Sequence, residues 1–143
     1  MNIEVNRKAK AYAEDSILIN AAIDKVYWLL SDIQRWPQWQ TAVQKVELEG
    51  EPSPGKSFDW KAAGFNIHST FHTVNPPDEF GWTGRMWWIR AVHNWYFEPV
   101  GNGTKVTTRE SLEGFGAWAM KKSLKEGMRK SLIELRKAAE NRS

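Results

Sequence analysis

The chain has 143 residues, 41% hydrophobic and 26% charged, proportions that suit one soluble globular domain over 1–143 with room for a core. It has no cysteine, which excludes disulfides, thiol catalysis and Cys-ligated zinc, and a cytoplasmic location is expected. The net charge is +3, and residues 116–143 alone carry eight Lys or Arg against three Glu.

Residues 1–9 ("MNIEVNRKA") contain no apolar stretch of signal-peptide type and are expected to be flexible. "YAEDSILIN" (Tyr12–Asn20) ends β-branched and reads as a strand, with Asn20 placed to cap the next segment. In "AAIDKVYWLL", Ile23, Val26, Tyr27 and Leu30 recur at helical spacing. "SDIQRWPQWQ", punctuated by Pro37, predicts a second short helix or turn. Six further strands come next: "AVQKVELEG", "KSFDW", "FNIHSTFHTV", "EFGWTGRM", "AVHNWYFEPV" and "GTKVTTRESLEG". The last segment, from about Gly116 to Glu140, is predicted as a helix. Its apolar stripe is Met120, Leu124, Met128, Leu132 and Leu135, with Lys121, Lys122, Lys125, Arg129 and Lys130 away from it. No run approaches the ~20 apolar residues that span a bilayer. An antiparallel sheet with one apolar face needs a cover, so the final helix is expected to pack across a curved sheet.

Strand side chains alternate, so the turns test which face is inside. A turn at Gly101-Asn102 pairs Phe97 with Val106, Trp95 with Thr108 and His93 with Glu110. A turn at Trp88-Ile89 sets Trp95 against Trp82 and His93 against Gly84. Turns at "NPPD" and "AAG" set Trp82 against Phe71, Gly84 against Ser69, Ile67 against Phe58 and Phe65 against Trp60. All four turns keep one parity. One face collects the large apolar residues together with Ser69, Gly84, His93, Thr108 and Glu110. The other is polar except for Val74, Val92 and Tyr96.

The ordered set "ILINAAIDKVYWLLSDIQRWPQW", "PGKSFDW" and "PPDEFGWTGRMWWIRAVHNWYFEPVGNGTKVTTRESLEG" resembles the START/Bet v 1-like helix-grip superfamily, in its SRPBCC polyketide cyclase/dehydrase and lipid-transport branch. Ala22 stands where that family often has Pro. The resemblance implies an α+β helix-grip fold. In it a curved seven-stranded antiparallel sheet wraps around a long C-terminal helix, and two short helices come after strand 1. It also implies a cavity between sheet and helix for a small hydrophobic or aromatic ligand such as a lipid or polyketide.

His93 and Glu110 are the strongly polar pair on the inner face and the candidate catalytic residues. Directly opposed side chains lie about 5 Å apart at Cβ, so a His–carboxylate hydrogen bond is expected. Three roles stay open for the pair: structural, ligand-positioning, or general acid–base. Gly84, set opposite His93, would leave space beside the ring. The candidate ligand-binding residues are Trp60, Ser69, Phe71, Trp82, Gly84, His93, Trp95, Thr108 and Glu110. Trp28, Trp36 and Trp39 would flank the cavity mouth. His68 and His72 lie about 13 Å apart on one strand and are expected to face solvent, so neither a metal nor a cofactor is expected.

A binding protein for a small hydrophobic ligand is the expected function. An alternative is an enzyme of cyclase, dehydratase or hydrolase type acting through His93 and Glu110. Another is a membrane-surface or protein-interaction module using the basic C-terminal helix. No nucleic-acid motif is present, so no nucleic-acid partner is expected.

Overall fold

The computed structural model describes residues 2–141. Alternation of apolar and polar residues lays down β1 (Ala11–Ile19), and then the spacing changes to helical in α1 (Ile23–Ser31). A 3₁₀ turn (Ile33–Arg35) leads into the single turn α2 (Trp36–Trp39), where Pro37 costs no hydrogen bond because it sits in the first turn. Six strands come next: β2 (Val43–Glu47), β3 (Ser57–Ala62), β4 (Phe65–Asn75), β5 (Glu79–Met86), β6 (Ile89–Val100) and β7 (Gly103–Glu113). A second 3₁₀ turn (Ala117–Met120) enters the long helix α3 (Lys121–Glu140).

All seven strands form one antiparallel sheet in the order β1-β7-β6-β5-β4-β3-β2, curved around α3. This is the helix-grip architecture. The helix buries Met128, Leu132, Leu135 and Ala139 against the sheet, and Leu132 and Leu135 have no exposure at all. Full burial of each such side chain is worth roughly 1.5–3 kcal/mol. The main core joins Leu132 and Leu135 to Ile17, Tyr27, Phe58, Phe71, Phe80, Phe97 and Val106. A smaller cluster of Ala11, Ile89, Leu112 and Ala117 lies under Met120 and Leu124, where the helix begins.

The expected parity holds across the sheet, while two registers differ from expectation. The β6–β7 turn is Gly101-Asn102, with His93 opposite Glu110. The β5–β6 turn is Trp87-Trp88 rather than Trp88-Ile89, so Trp82 opposes His93, Phe80 opposes Trp95 and Gly84 opposes Ala91. The β3–β4 turn is Ala63-Gly64, so Trp60 opposes Ile67 and Phe58 opposes Ser69. Each difference is a slip of two residues, which changes partners and leaves the facing intact. A bulge between Phe71 and Thr73 then reverses the facing locally. Val74 turns inward onto the core, and His72 is buried on the outer face.

That outer burial also changes the expectation for the N-terminal residues. Ile3 donates its N–H to His72 Nδ1 and accepts from Asn94 Nδ2, Asn6 N–H donates to Ser111 Oγ, and Val5 is buried. Within the segment expected to be flexible, Ile3, Val5 and Asn6 thus lie against the convex face. Asn20 does not cap α1: its backbone N–H donates to Glu140 Oε2 at 2.7 Å, and Ala22 takes the cap position without a side-chain bond.

Candidate functional site

A cavity of about 280 Å³ lies between the sheet and α3. It opens between the two apolar clusters because small residues face one another there. Ser69, Gly84 and Ala91 line it from the sheet, and Ser123, Gly127 and Ser131 from the helix. Trp36, Trp60, Trp82 and Trp95 form much of its wall. Gly127 is informative. A glycine inside a helix costs roughly 1 kcal/mol relative to alanine, and a Cβ placed there would meet nothing within 4 Å. The helix therefore keeps a destabilising residue beside open space.

His93 and Glu110 sit on this wall with side chains 14% and 18% exposed, and both line the cavity. The imidazole is enclosed by Trp82, whose ring centre is 4.8 Å away, and by Trp95, stacked at 5.3 Å. Apolar rings on both sides remove water, so burial lowers the His93 pKa and raises that of Glu110.

The hydrogen bonds place the protons. Thr108 Oγ1 donates to the backbone carbonyl of Asn94 at 3.2 Å. Its one hydrogen is thereby used, so at the 2.9 Å contact with His93 it accepts, and His93 carries its proton on Nε2. Glu110 Oε1 lies 3.3 Å from the unprotonated Nδ1, in contact without a hydrogen bond. Burial disfavours both charged forms, so Glu110 is held as a neutral acid beside a neutral imidazole.

Two further polar groups complete the wall. Trp60 Nε1–H donates to Ser69 Oγ at 3.0 Å. Trp95 Nε1–H is buried with no hydrogen-bond partner among the described residues. A buried donor left unpaired costs about 1–3 kcal/mol.

Of the residues proposed from sequence, Trp60, Ser69, Trp82, Gly84, His93, Trp95 and Glu110 line the cavity. Phe71 does not: it stacks on Phe58 at 4.7 Å within the core. Thr108 is fully buried behind His93 and reaches the cavity only through that ring. Gly84 does not make room beside His93, because Trp82 occupies the opposing position. Trp36 is a cavity wall, with its N–H on the Leu30 carbonyl, whereas Trp28 is exposed under the Arg35 guanidinium. Sequence reasoning missed the helix side of the site, Ser123, Gly127 and Ser131. The signal that could have found it was a glycine in the middle of an otherwise strong helix. Among the described residues no group of three or more His, Asp or Glu could hold a metal ion, and His68 is bonded to Asp59 on the outer face.

The sequence profile described as polyketide cyclase / dehydrase and lipid transport matches residues 10–140. The chain belongs to this family. The family is known for binding hydrophobic molecules. No curated protein matches the chain at the level of sequence. The fold is shared with a hypothetical protein of Helicobacter pylori, with a TM-score of 0.84, 16% identity, and coverage of 97% of this chain and 98% of that one. A START superfamily protein from Mycobacterium smegmatis has a TM-score of 0.78 at 11% identity, covering 90% and 97%. Ara h 8.0201 has a TM-score of 0.72 at 12% identity, covering 90% and 96%. At these identities the likeness is one of fold. No described helix is long and apolar enough to cross a membrane.

Proposed function

We propose that the protein binds an uncharged, largely apolar small molecule carrying one oxygen function in the cavity between the sheet and α3. The observation that carries this reading is the pairing of an aromatic-walled space with an unpartnered buried donor, Trp95 Nε1–H. A ligand carbonyl or hydroxyl oxygen would satisfy that donor once a small shift of the Trp95 ring opens it to the cavity, and a hydroxyl could also donate to a carboxyl oxygen of Glu110. A charged ligand is disfavoured because the His93–Glu110 pair is neutral and cannot compensate it. At about 280 Å³ the space sits at the small end of ligand pockets, which suits a compact ring system better than a whole diacyl lipid.

Binding is favoured over catalysis by the surroundings of His93. Nε2 is engaged by Thr108, Glu110 Oε1 lies against Nδ1 at 3.3 Å, and burial disfavours the imidazolium, so His93 is a poor base for a ligand proton. An enzyme of this site would have to work through Glu110 as the proton donor.

The test is a titration with uncharged aromatic ketones and phenols of two-ring size, read by quenching of tryptophan emission. Native mass spectrometry of the purified protein would look in parallel for a co-purified molecule. Saturable quenching that is lost in Gly127→Leu is expected. Indifference of the emission to every probe, with no bound molecule by mass, would overturn the reading.

A further inference from the structure

Aromatic residues that the core does not use gather at one end of the molecule. Trp87, Trp88, Phe115 and Trp118 are 71%, 59%, 83% and 67% exposed. Trp87 stacks on Trp88 with ring centres 5.7 Å apart, Trp88 meets Phe115 at 6.5 Å, and Phe65 meets Trp87 edge-on at 5.5 Å. Trp118 lies in the 3₁₀ turn just beyond Phe115. The β5–β6 turn and the segment after β7 are tied together by Trp88 Nε1–H, which donates to the Phe115 carbonyl at 2.6 Å. Gly114, at φ 126, allows the backbone to pass directly over the Trp88 carbonyl, where any Cβ would collide.

Single exposed apolar side chains are ordinary, whereas an adjoining set marks an interaction surface. The backbone adds a second observation. Trp87 occupies φ 54 at the tip of a two-residue turn, a left-handed conformation that favours glycine or asparagine. The chain thus holds a large indole in an unfavourable backbone state and leaves it in solvent.

The charges around the rim have one sign in excess. Arg85 and Arg90 flank the turn, and Lys121, Lys122 and Lys125 open α3 just after Trp118, all exposed. Glu113 and Glu126 are the carboxylates on the same stretches, and Glu126 lies 4.0 Å from Lys122. Farther along the helix Arg129 is committed to Asp15 at 3.3 Å and to the Ser16 carbonyl. Lys130, Arg136 and Lys137 lie farther along the helix, and its first turns hold Lys121, Lys122 and Lys125 beside the aromatic rings.

We propose that this rim docks the protein on the surface of an anionic lipid bilayer, with the indoles at headgroup depth and the flanking cations on the anionic headgroups. Indole rings prefer that interface, and each nearby cation is attracted to anionic lipid. A second copy of the chain fits less well, because it would set like charges against one another. A nucleic-acid strand also fits less well, because Trp87 and Trp88 stack on each other and use ring faces that bases would need. Through Phe65, Met86 and Ile89 the rim is continuous with the cavity wall, so docking would bring the cavity beside the bilayer. The docking itself does not rest on the cavity having a ligand.

The experiment is flotation of the full chain with vesicles of phosphatidylcholine plus phosphatidylglycerol, against phosphatidylcholine alone, at low and high salt. Recovery with the anionic vesicles, reduced by salt, is expected. Trp87→Gly combined with Trp118→Ser should weaken partitioning by about tenfold or more. Trp87→Gly alone should keep or raise the melting temperature, because glycine suits that backbone. Lys121→Gln with Lys122→Gln should weaken partitioning roughly thirtyfold, at about fivefold per cation. Hydrogen exchange on the unmodified protein provides a readout independent of any variant, with vesicle protection expected at Trp87–Ile89 and Phe115–Lys122. Absence of flotation with either vesicle, equal flotation with both, or unchanged partitioning in both double variants would overturn the proposal. So would a rim-dependent dimer in light scattering, or tighter binding to an oligonucleotide than to anionic vesicles.

Discussion

The buried His93–Glu110 pair makes a quantitative prediction about stability and pH. In the unfolded chain His93 titrates near 6.5 and Glu110 near 4.5, whereas in the fold burial takes His93 down to about 3 and Glu110 up to about 8. The two linkages have opposite signs. A depressed histidine loses stability as pH falls below 6.5, because the unfolded state takes up a proton that the fold refuses. A raised glutamic acid loses stability as pH rises above 4.5, because the unfolded state releases a proton that the fold retains. Between 4.5 and 6.5 the slopes cancel, since folded and unfolded forms each hold one proton on the pair. From pH 6.5 to about 8 only the folded form still holds it. At about 1.4 kcal/mol per pH unit the fold then loses about 2 kcal/mol.

Urea denaturation of wild type and Glu110→Gln across that range separates this pair from every other titrating group, since only the difference between the two proteins is used. A glutamine amide has the shape of the neutral acid beside His93 Nδ1 and does not titrate. At or below pH 4.5, where Glu110 is protonated in both states, the variant should match wild type to within about 1 kcal/mol, the size of one hydrogen bond. From there it should gain on wild type by about 1.4 kcal/mol per pH unit, about 2 kcal/mol of it between pH 6.5 and about 8. A difference that stays constant from pH 6.5 to 8 would refute the linkage. A glutamine costing 3 kcal/mol or more at pH 4.5, the order expected when one partner of a buried ion pair is removed, would place the proton on the imidazole and refute the neutral-acid assignment.

Three other expectations can be checked by denaturation and exchange. Gly127→Ala should stabilise the protein by about 0.5–1 kcal/mol, because helix propensity improves and the new methyl meets open space. Leu132→Ala, at a fully buried position of α3, should cost about 2–5 kcal/mol. Gly81→Ala would set a Cβ 2.7 Å from both Asn94 Oδ1 and the His72 ring. It should cost about 1–3 kcal/mol and speed amide exchange at Ile3, whose N–H is held by His72.

The sheet was legible because its signal is redundant. Every strand repeats the same parity, so the slips of two at Trp87-Trp88 and Ala63-Gly64 left the facing of Ser69, Gly84, His93 and Glu110 intact. The slip at Trp87-Trp88 has a local cause: the connection between β5 and β6 has no Asn or Gly at its tip, and the strained residue there is a tryptophan. The Gly101-Asn102 turn placed His93 opposite Glu110 correctly, and the "NPPD" turn placed Trp82 opposite Phe71 and Gly84 opposite Ser69. The bulge at His72 left one trace in the pattern, Val74 falling on the polar side. The burial of His72 depends on the N-terminal residues folding back across the sheet, a contact between segments far apart in the chain. The helix side of the cavity was hidden for the opposite reason. Ser123, Gly127 and Ser131 look like gaps in an apolar stripe until the sheet beneath them is known to be small-residued as well.

What the fold adds to the His–Glu pair is direction. From sequence the two residues were neighbours with three possible roles. Thr108 reduces them, because its single hydroxyl hydrogen is spent on the Asn94 carbonyl and that fixes the His93 tautomer. Burial then keeps Glu110 protonated beside the unprotonated Nδ1. The acidity of the site and its ligand chemistry are therefore one property. Any molecule that ionises Glu110 must supply a cation, because burial disfavours the bare carboxylate. A neutral ligand bound without moving that proton should leave the pH profile of stability unchanged in shape and raise it by the same amount at every pH. A cationic ligand should instead gain affinity as pH rises toward 8. Stability profiles with and without ligand thus report the charge of what the cavity accepts, even before its identity is known.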